Sequence, residues 1–305
     1  MIIDCHSHIW PSRADLGAAV QFSCLAQTQC ETAQPNQHFD GIYPAVTSIV
    51  LGFVCEHLNA RISNHFISKY VNAHPRQLIG FAGVDPTDKN CCAQLRQLHD
   101  EENFAGLTLC PACQGFHPCD TRVMQLCEVA LELSMPVYIL QGMALPQQAY
   151  LEYAQPHFLD EIARRFTDLK MIVSHLGYPW VEQTISLLAK HPNVFADVAG
   201  LARSPWLAYR FLILAYECGV IEKLLFASDF PSLTVKTTIE SLYNLNKITL
   251  DSLLPAVPRE HLKGIIERDS LSLLGLNSTH QMPPDESSQE IPAAPNAEEP
   301  EQPHD

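Results

Sequence analysis

Short runs of β-branched and large apolar residues recur along the chain, and stretches with helical spacing separate most of them. The first run, Ile2 and Ile3, leads into Asp4-Cys5-His6-Ser7-His8, so residues 1–8 are predicted as a buried strand ending in two histidines. Further strands are predicted at 47–54, 78–84, 104–109, 136–140, 170–174, 194–198 and 224–227. Helical spacing fills 56–73 through Leu58, Ile62, Phe66 and Tyr70. It returns at 89–100, 119–133, 158–166, 181–190 and 205–218, and two more helical stretches reach Leu274. Residues 11–44 break this rhythm. They are rich in Gln, Thr, Ala and Cys, and they predict a long excursion from the end of the first strand, with a short helix at 14–27. An insertion in that place commonly forms a lid or a pocket wall.

Eight strands, most followed by a helix, within roughly 275 residues match an α/β fold of the (β/α)8 barrel type. A doubly wound open sheet is the alternative. No glycine-rich phosphate turn follows any strand, so nothing recommends a nucleotide-binding version of it. The barrel domain is assigned to residues 1–277. Residues 278–305 turn to Pro, Glu, Ser and Gln with few large apolar residues, a composition that predicts a disordered acidic tail.

The formal charge of −15 argues against nucleic acid or an anionic membrane as partner. Seven of the acids lie in the tail, which has no Lys or Arg, so residues 1–277 carry −8. No stretch approaches the length of a membrane-spanning helix, and the N-terminus enters a strand without a signal-peptide pattern. The eleven cysteines are an odd number in a long chain, which suits free thiols in a reducing cytoplasm. A small-molecule substrate is expected. A homodimer is compatible with the chain, and no motif specifies the oligomeric state.

Alternate strand side chains share a face, so Asp4, His6 and His8 form one row. Two imidazoles at i and i+2 can grip one cation, and Asp4 is placed to accept a ring N–H and fix the tautomer. In a barrel the active site lies at the C-terminal strand ends. His175 ends the sixth predicted strand and Asp229 follows the eighth, which closure would set beside the first. Three nitrogens and a carboxylate suit one divalent ion, zinc first and manganese second. Trp10 and Trp180 flank these positions and are candidates for binding substrate. A rival cation site is offered by Cys110, Cys113, His117 and Cys119 in the loop after the fourth strand.

The chain resembles the amidohydrolase superfamily, in the branch that holds lactone hydrolases and the aminocarboxymuconate-semialdehyde type of decarboxylase. The matching pieces are I-D-C-H-S-H at 3–8, S-H-L-G at 174–177 and A-S-D-F-P at 227–231, in the family's order, with G-F-H-P at 115–118. The resemblance covers about residues 1–275 and implies His6 and His8 as metal ligands. It implies Asp229 as a ligand and general base, and His175 as a ligand or a group that polarises substrate. His117 of the G-F-H-P segment joins the substrate-binding candidates.

Two positions depart from the family pattern. Leu140 stands where the fifth strand would carry a histidine, and Thr108 stands where the fourth would carry a lysine or another basic residue. Both losses point to a single metal. The leading expectation is a hydrolase of a C–O or C–N bond that uses a metal-acidified water, with Asp229 taking its proton. A non-oxidative decarboxylase (a lyase) of a small unsaturated or aromatic acid is the second reading, and a non-catalytic degenerate barrel the third.

Overall fold

The computed structural model describes residues 1–21, 32–141 and 145–276. Eight parallel strands form one sheet: β1 (Ile3–Ser7), β2 (Thr47–Leu51), β3 (Leu78–Gly83), β4 (Gly106–Leu109), β5 (Val137–Ile139), β6 (Met171–Val173), β7 (Val194–Asp197) and β8 (Leu224–Leu225). They pair in chain order, and all except β3 are buried along their whole length. Burial on both faces explains why the runs read as continuously apolar rather than alternating. The segment after β8 closes the ring on β1. Cys5 N–H donates to the Phe226 carbonyl at 3.0 Å, Asp229 N–H to that of His6 at 3.0 Å, and His8 N–H to that of Phe230 at 2.9 Å. The (β/α)8 barrel predicted from the apolar pattern is therefore the observed fold.

Inside the barrel large side chains face small ones. Phe81 of β3 pairs in register with Gly106 of β4, and its ring occupies the space a Cβ at Gly106 would need. Thr108 pairs with Tyr138, whose hydroxyl lies deep in the barrel. Helices flank the strands, among them Cys91–Glu102, Thr121–Glu132, Val181–Lys190 and Pro205–Glu217.

The structure differs from the apolar pattern after β2. Residues 56–73 have helical spacing, yet the helix begins only at Asn64 and runs to Ala73. Before it stands a two-stranded antiparallel hairpin, Val54–Cys55 with Ala60–Arg61. Asn59 turns the chain at φ 50°, a conformation Asn tolerates better than most residues, and the Ser63 side chain caps the helix. Leu58, on the 3-10 turn Glu56–Leu58 between the two strands, and Ile62, just past the second strand, are buried outside the helix.

Of the excursion after β1, the described part holds a 3-10 segment at Arg13–Gln21 and a helix at Pro35–Gly41. The predicted helix at 14–27 extends beyond the described residues. A buried polar chain anchors helix Pro35–Gly41. His38 Nε2 lies 2.8 Å from Ser7 Oγ, and His38 Nδ1 lies 3.0 Å from the Tyr70 hydroxyl. Ser7 Oγ in turn donates to the Ile49 carbonyl at 2.8 Å, so the network links the helix to β1, to β2 and to helix Asn64–Ala73.

No described helix is long and apolar enough to cross a membrane. The predicted tail at 278–305 lies outside the described residues. Leu276, the last of them, is buried against the core. A chain ended at residue 277 is expected to melt at nearly the same temperature as the full one, because the tail's composition gives little apolar surface to offset the cost of ordering. A large drop in a thermal scan would show that the tail contributes to the fold.

Candidate metal centre at the barrel mouth

Three histidines and one aspartate converge at the C-terminal end of the strands. His6 lies on β1 and His8 just past its end, His175 follows β6 and Asp229 follows β8, all nearly inaccessible to solvent. Their ring orientations share one logic. His8 Nδ1–H donates to the Leu51 carbonyl at 3.0 Å, and His175 Nδ1–H to the Ala199 carbonyl at 2.9 Å. A carbonyl can only accept, so each ring keeps its lone pair on Nε2. His6 Nδ1–H donates to Asp197 Oδ2 at 2.9 Å, which leaves its Nε2 free in the same way.

These Nε2 atoms face one another. That of His6 lies 3.0 Å from that of His8 and 3.9 Å from Asp229 Oδ1. His6, His175 and Asp229 each offer one ligand atom within 4.8 Å of the other two, a group able to hold a metal ion. His175 Nε2 and Asp229 Oδ1 are buried and have no hydrogen-bond partner. Two lone pairs directed at each other across 3.0 Å repel unless positive charge lies between them. A proton on His6 Nε2 donated to His8, or a divalent ion bonded at about 2.0–2.1 Å to each nitrogen, meets that need, so the donor set is compatible with a metal.

Charge acts on the three rings in opposite senses. Burial works against a charge on His6, but the Asp197 carboxylate, with help from Asp229 and Asp4, outweighs it and raises the His6 pKa above the usual range. Burial pushes the pKa of His8 well down, reinforced by the charge of His6, and that of His175 is lowered for the same reasons. Burial pushes the Asp229 carboxyl up, against the pull of His175, His6 and Arg203.

The local backbone is shaped for this display. His175 and Leu176 have φ of 53° and 51°, and Asp229 has φ of 64°. Such values cost energy in residues with a Cβ and cluster where a chain must aim a functional group. Gly177 completes the turn at φ 67°, and a Cβ there would collide with Thr184 Oγ1. The glycine of S-H-L-G thus has a packing cause.

Three partners of the site have no counterpart in the sequence analysis. Asp197, at the end of β7, accepts from His6 Nδ1, from the Tyr138 hydroxyl, from His175 N–H at 2.7 Å and from Ala199 N–H at 2.9 Å. Tyr138 on β5 is the second partner. The third is Arg203, whose Nη2 donates to Asp229 Oδ2 at 2.7 Å. A carboxylate ending an apolar strand, V-F-A-D at 194–197, was the available signal for Asp197. Asp4 does not hold a histidine ring as expected. Its carboxylate accepts from Ser228 N–H at 2.8 Å and Ser228 Oγ at 2.6 Å, because barrel closure brings that backbone beside β1. Burial raises the Asp4 pKa to about 6 despite those bonds.

Trp10 is fully buried two residues beyond His8, with its indole N–H unpartnered. Trp180 is half-buried at the start of helix Val181–Lys190. His117 is engaged away from the histidine cluster. Its Nδ1 accepts Cys119 N–H at 3.0 Å and its ring packs on Tyr153 and Phe158. Leu140 is buried past β5 and supplies no ligand atom, and Thr108 Oγ1 is buried without a partner.

The cysteines near His117 form no metal-holding group among the described residues. Cys110 and Cys113 are buried, and Cys55 Sγ donates to the Cys113 carbonyl at 3.0 Å. Changing Cys110, Cys113 and Cys119 together to serine is expected to leave bound metal unchanged by elemental analysis. Loss of one equivalent with His6 and His8 intact would move the metal to that loop.

A parallel (β/α)8 barrel with imidazoles and a carboxylate gathered at its C-terminal mouth defines an enzyme of the metal-using barrel class. The chain belongs to the amidohydrolase family, whose model matches residues 3–265. An uncharacterized TIM-barrel protein from Bordetella bronchiseptica superposes with a TM-score of 0.70 at 19% identity, covering 90% of this chain and 98% of that one. A probable 2-pyrone-4,6-dicarboxylic acid hydrolase from Acinetobacter baumannii gives a TM-score of 0.62 at 16% identity over 90% and 99% of the two chains. A dihydroxybenzoic acid decarboxylase from Polaromonas, solved with manganese and 2-nitroresorcinol, gives 0.61 at 15% over 91% and 97%. No curated protein sequence matches the chain.

Proposed function

We propose that the protein is a metal-dependent hydrolase that cleaves a C–O or C–N bond of a small carbonyl substrate. The observation that carries this reading is the commitment of Nδ1 on His6, His8 and His175, which leaves Nε2 of His6 and His175 grouped with Asp229 Oδ1 and Nε2 of His8 3.0 Å from that of His6. His6, His8 and Asp229 would hold one ion, zinc before manganese, with His175 at or near it. When bound, the ion supplies Lewis acidity, which polarises a carbonyl oxygen and acidifies water.

The rest of the chemistry belongs to side chains. Asp229 Oδ1 takes the proton of the attacking water, while Arg203 holds Oδ2 and fixes the carboxylate plane. His175, neutral and with its donor spent on Ala199, presents Nε2 to the reacting group. Asp197 and the Leu51 carbonyl keep His6 and His8 in the ligating tautomer. Trp10 and Trp180 would wall the substrate, and His117 would do so only from the periphery. Decarboxylation is the second reading, favoured by the fold shared with the manganese-containing dihydroxybenzoic acid decarboxylase.

The test is metal content after purification without chelator or affinity metal. The wild-type chain is expected to carry at most one equivalent, and His6→Ala or His8→Ala to carry none. Asp229→Asn should weaken the metal and remove the base. Leu140→His should tighten binding by adding an imidazole on β5. A wild-type chain that stays metal-free in millimolar zinc or manganese would leave the non-catalytic barrel as the better reading.

A further inference from the structure

His6 and His8 flank a single residue, Ser7, the last of β1. Beside it the pairing with β2 slips. Asp4 pairs with Ser48 and Ser7 with Val50, so three steps along β1 match two along β2. That is a bulge of one extra residue, a device that bends a strand and re-aims the side chains next to it. The backbone of His6 shows the effect. Its N–H turns to Asp4 Oδ1 at 3.4 Å, and its carbonyl accepts Asp229 N–H at 3.0 Å from the segment after β8.

An extra residue disrupts the ladder locally, so other bonds must hold it in place. The Ser7 side chain supplies them. Its Oγ–H donates at 2.8 Å to the carbonyl of Ile49, the residue before Val50 on β2. With its one proton spent there, Ser7 Oγ can only accept from its other neighbours. Burial keeps the His38 imidazole neutral, with one N–H and one lone pair. His38 Nε2, 2.8 Å from Ser7 Oγ, is therefore the N–H end, and Nδ1 accepts the Tyr70 hydroxyl at 3.0 Å. Ser48 Oγ is a second donor to Ser7 at 3.1 Å.

The relay thus runs one way, from Tyr70 through His38 and Ser7 to the backbone of β2, and every member is buried. Ser7 alternates with His6 and His8, so the relay lies behind the strand, on the face away from their imidazoles. Ser7 is also bridged to Phe230 after β8, which fixes it from both neighbouring strands.

We infer that Ser7 and His38 are positioning residues: they lock the bulge of β1 and so aim Nε2 of His6 and of His8 at each other across 3.0 Å. The purpose of that aim rests on the metal reading of the cluster, whereas the locked geometry is a property of the chain alone. The insertion after β1 then does something other than cover or wall a pocket. Its helix Pro35–Gly41 supplies His38 and braces the ligand-bearing strand from behind.

Zinc competition, the visible spectrum of the cobalt(II)-loaded protein and metal-free crystal structures distinguish aim from stability in wild type, Ser7→Ala, His38→Leu and His38→Gln. Ser7→Ala and His38→Leu should each bind zinc about tenfold more weakly, the lower end of the range for losing support behind a metal ligand, and shift the cobalt bands. His38→Gln, whose amide N–H can still donate to Ser7, should stay within about twofold of wild type and keep the spectrum. In the metal-free crystals the His6–His8 Nε2 separation should stay short in wild type and His38→Gln and exceed about 3.5 Å in Ser7→Ala. Wild-type zinc affinity and cobalt spectrum in folded Ser7→Ala, whatever its urea stability, would reduce the relay to packing and overturn the positioning role. An unchanged bulge and Nε2 separation in its crystal would do the same. If His38→Leu does not fold, Ser7→Ala decides, since it deletes one hydroxyl and leaves the strand intact. Failure of the metal reading is separate: wild type then takes up neither zinc nor cobalt, and the Nε2 separation in the metal-free crystals still tests the bulge.

Discussion

Asp197→Asn should lower metal affinity by about 10- to 100-fold, the usual scale for losing a carboxylate behind a ligating histidine. The reason is the tautomer of His6. The carboxylate can only accept, so it holds the proton on Nδ1 at 2.9 Å and leaves Nε2 with its lone pair. An asparagine that keeps its carbonyl on the N–H groups of His175 and Ala199 must turn its amide N–H₂ toward His6 and Tyr138. His6 then accepts at Nδ1 and carries its proton on Nε2, where the ion would bind. The folded state suffers as well. The Asp197 pKa is lowered because His6, Tyr138 and His175 outweigh the cost of burial, so its charge is matched by donors on several strands. Breaking such a buried pair costs about 3–5 kcal/mol. Zinc competition against a chromophoric chelator and urea unfolding measure the two effects. Wild-type zinc affinity in Asp197→Asn would show that something other than Asp197 sets the His6 ring.

That carboxylate also marks where sequence reasoning stopped. His6 and His8 were legible because period-two alternation places them on one face without any knowledge of the fold. His175 and Asp229 were legible as polar residues closing apolar strands, and barrel closure explains why Asp229 lies 3.9 Å from His6 across most of the chain. Asp197 satisfies the same strand-end criterion. Its role is still invisible in the sequence, because it depends on a hydrogen bond between β1 and β7 across the barrel interior. The acid adjacent in sequence, Asp4, drew that role instead, although closure commits it to Ser228. Arg203 is harder still, since its side chain reaches Asp229 from a three-residue 3-10 turn, Leu201–Arg203, too short to carry a periodicity. The hairpin at 54–61 shows the converse error. Helical spacing there is coincidental, and the decisive signals were turn and capping residues, Asn59 and Ser63.

The acid limb of the stability curve should carry a specific contribution from His38. This residue is buried in the network that ties helix Pro35–Gly41 to the barrel, and its neighbours Ser7, Ser48 and Tyr70 are uncharged. Burial holds its pKa down at about 3, from an ordinary value of 6.5. Above pH 6.5 neither state protonates it, and its neutral folded form costs nothing. Below that, the unfolded chain takes up a proton that the folded chain refuses, so stability falls as pH falls, until the folded group titrates near pH 3. At about 1.36 kcal/mol per pH unit, the loss from this group between pH 7.5 and pH 5 is about 2 kcal/mol. His38→Gln can keep hydrogen bonds to Ser7 or Tyr70 but cannot titrate. Urea unfolding at the two pH values should therefore show wild type losing about 2 kcal/mol more than His38→Gln, whatever the variant's stability at pH 7.5. Equal losses in the two proteins would mean that His38 binds its proton as readily folded as unfolded, and that the buried network does not hold it neutral.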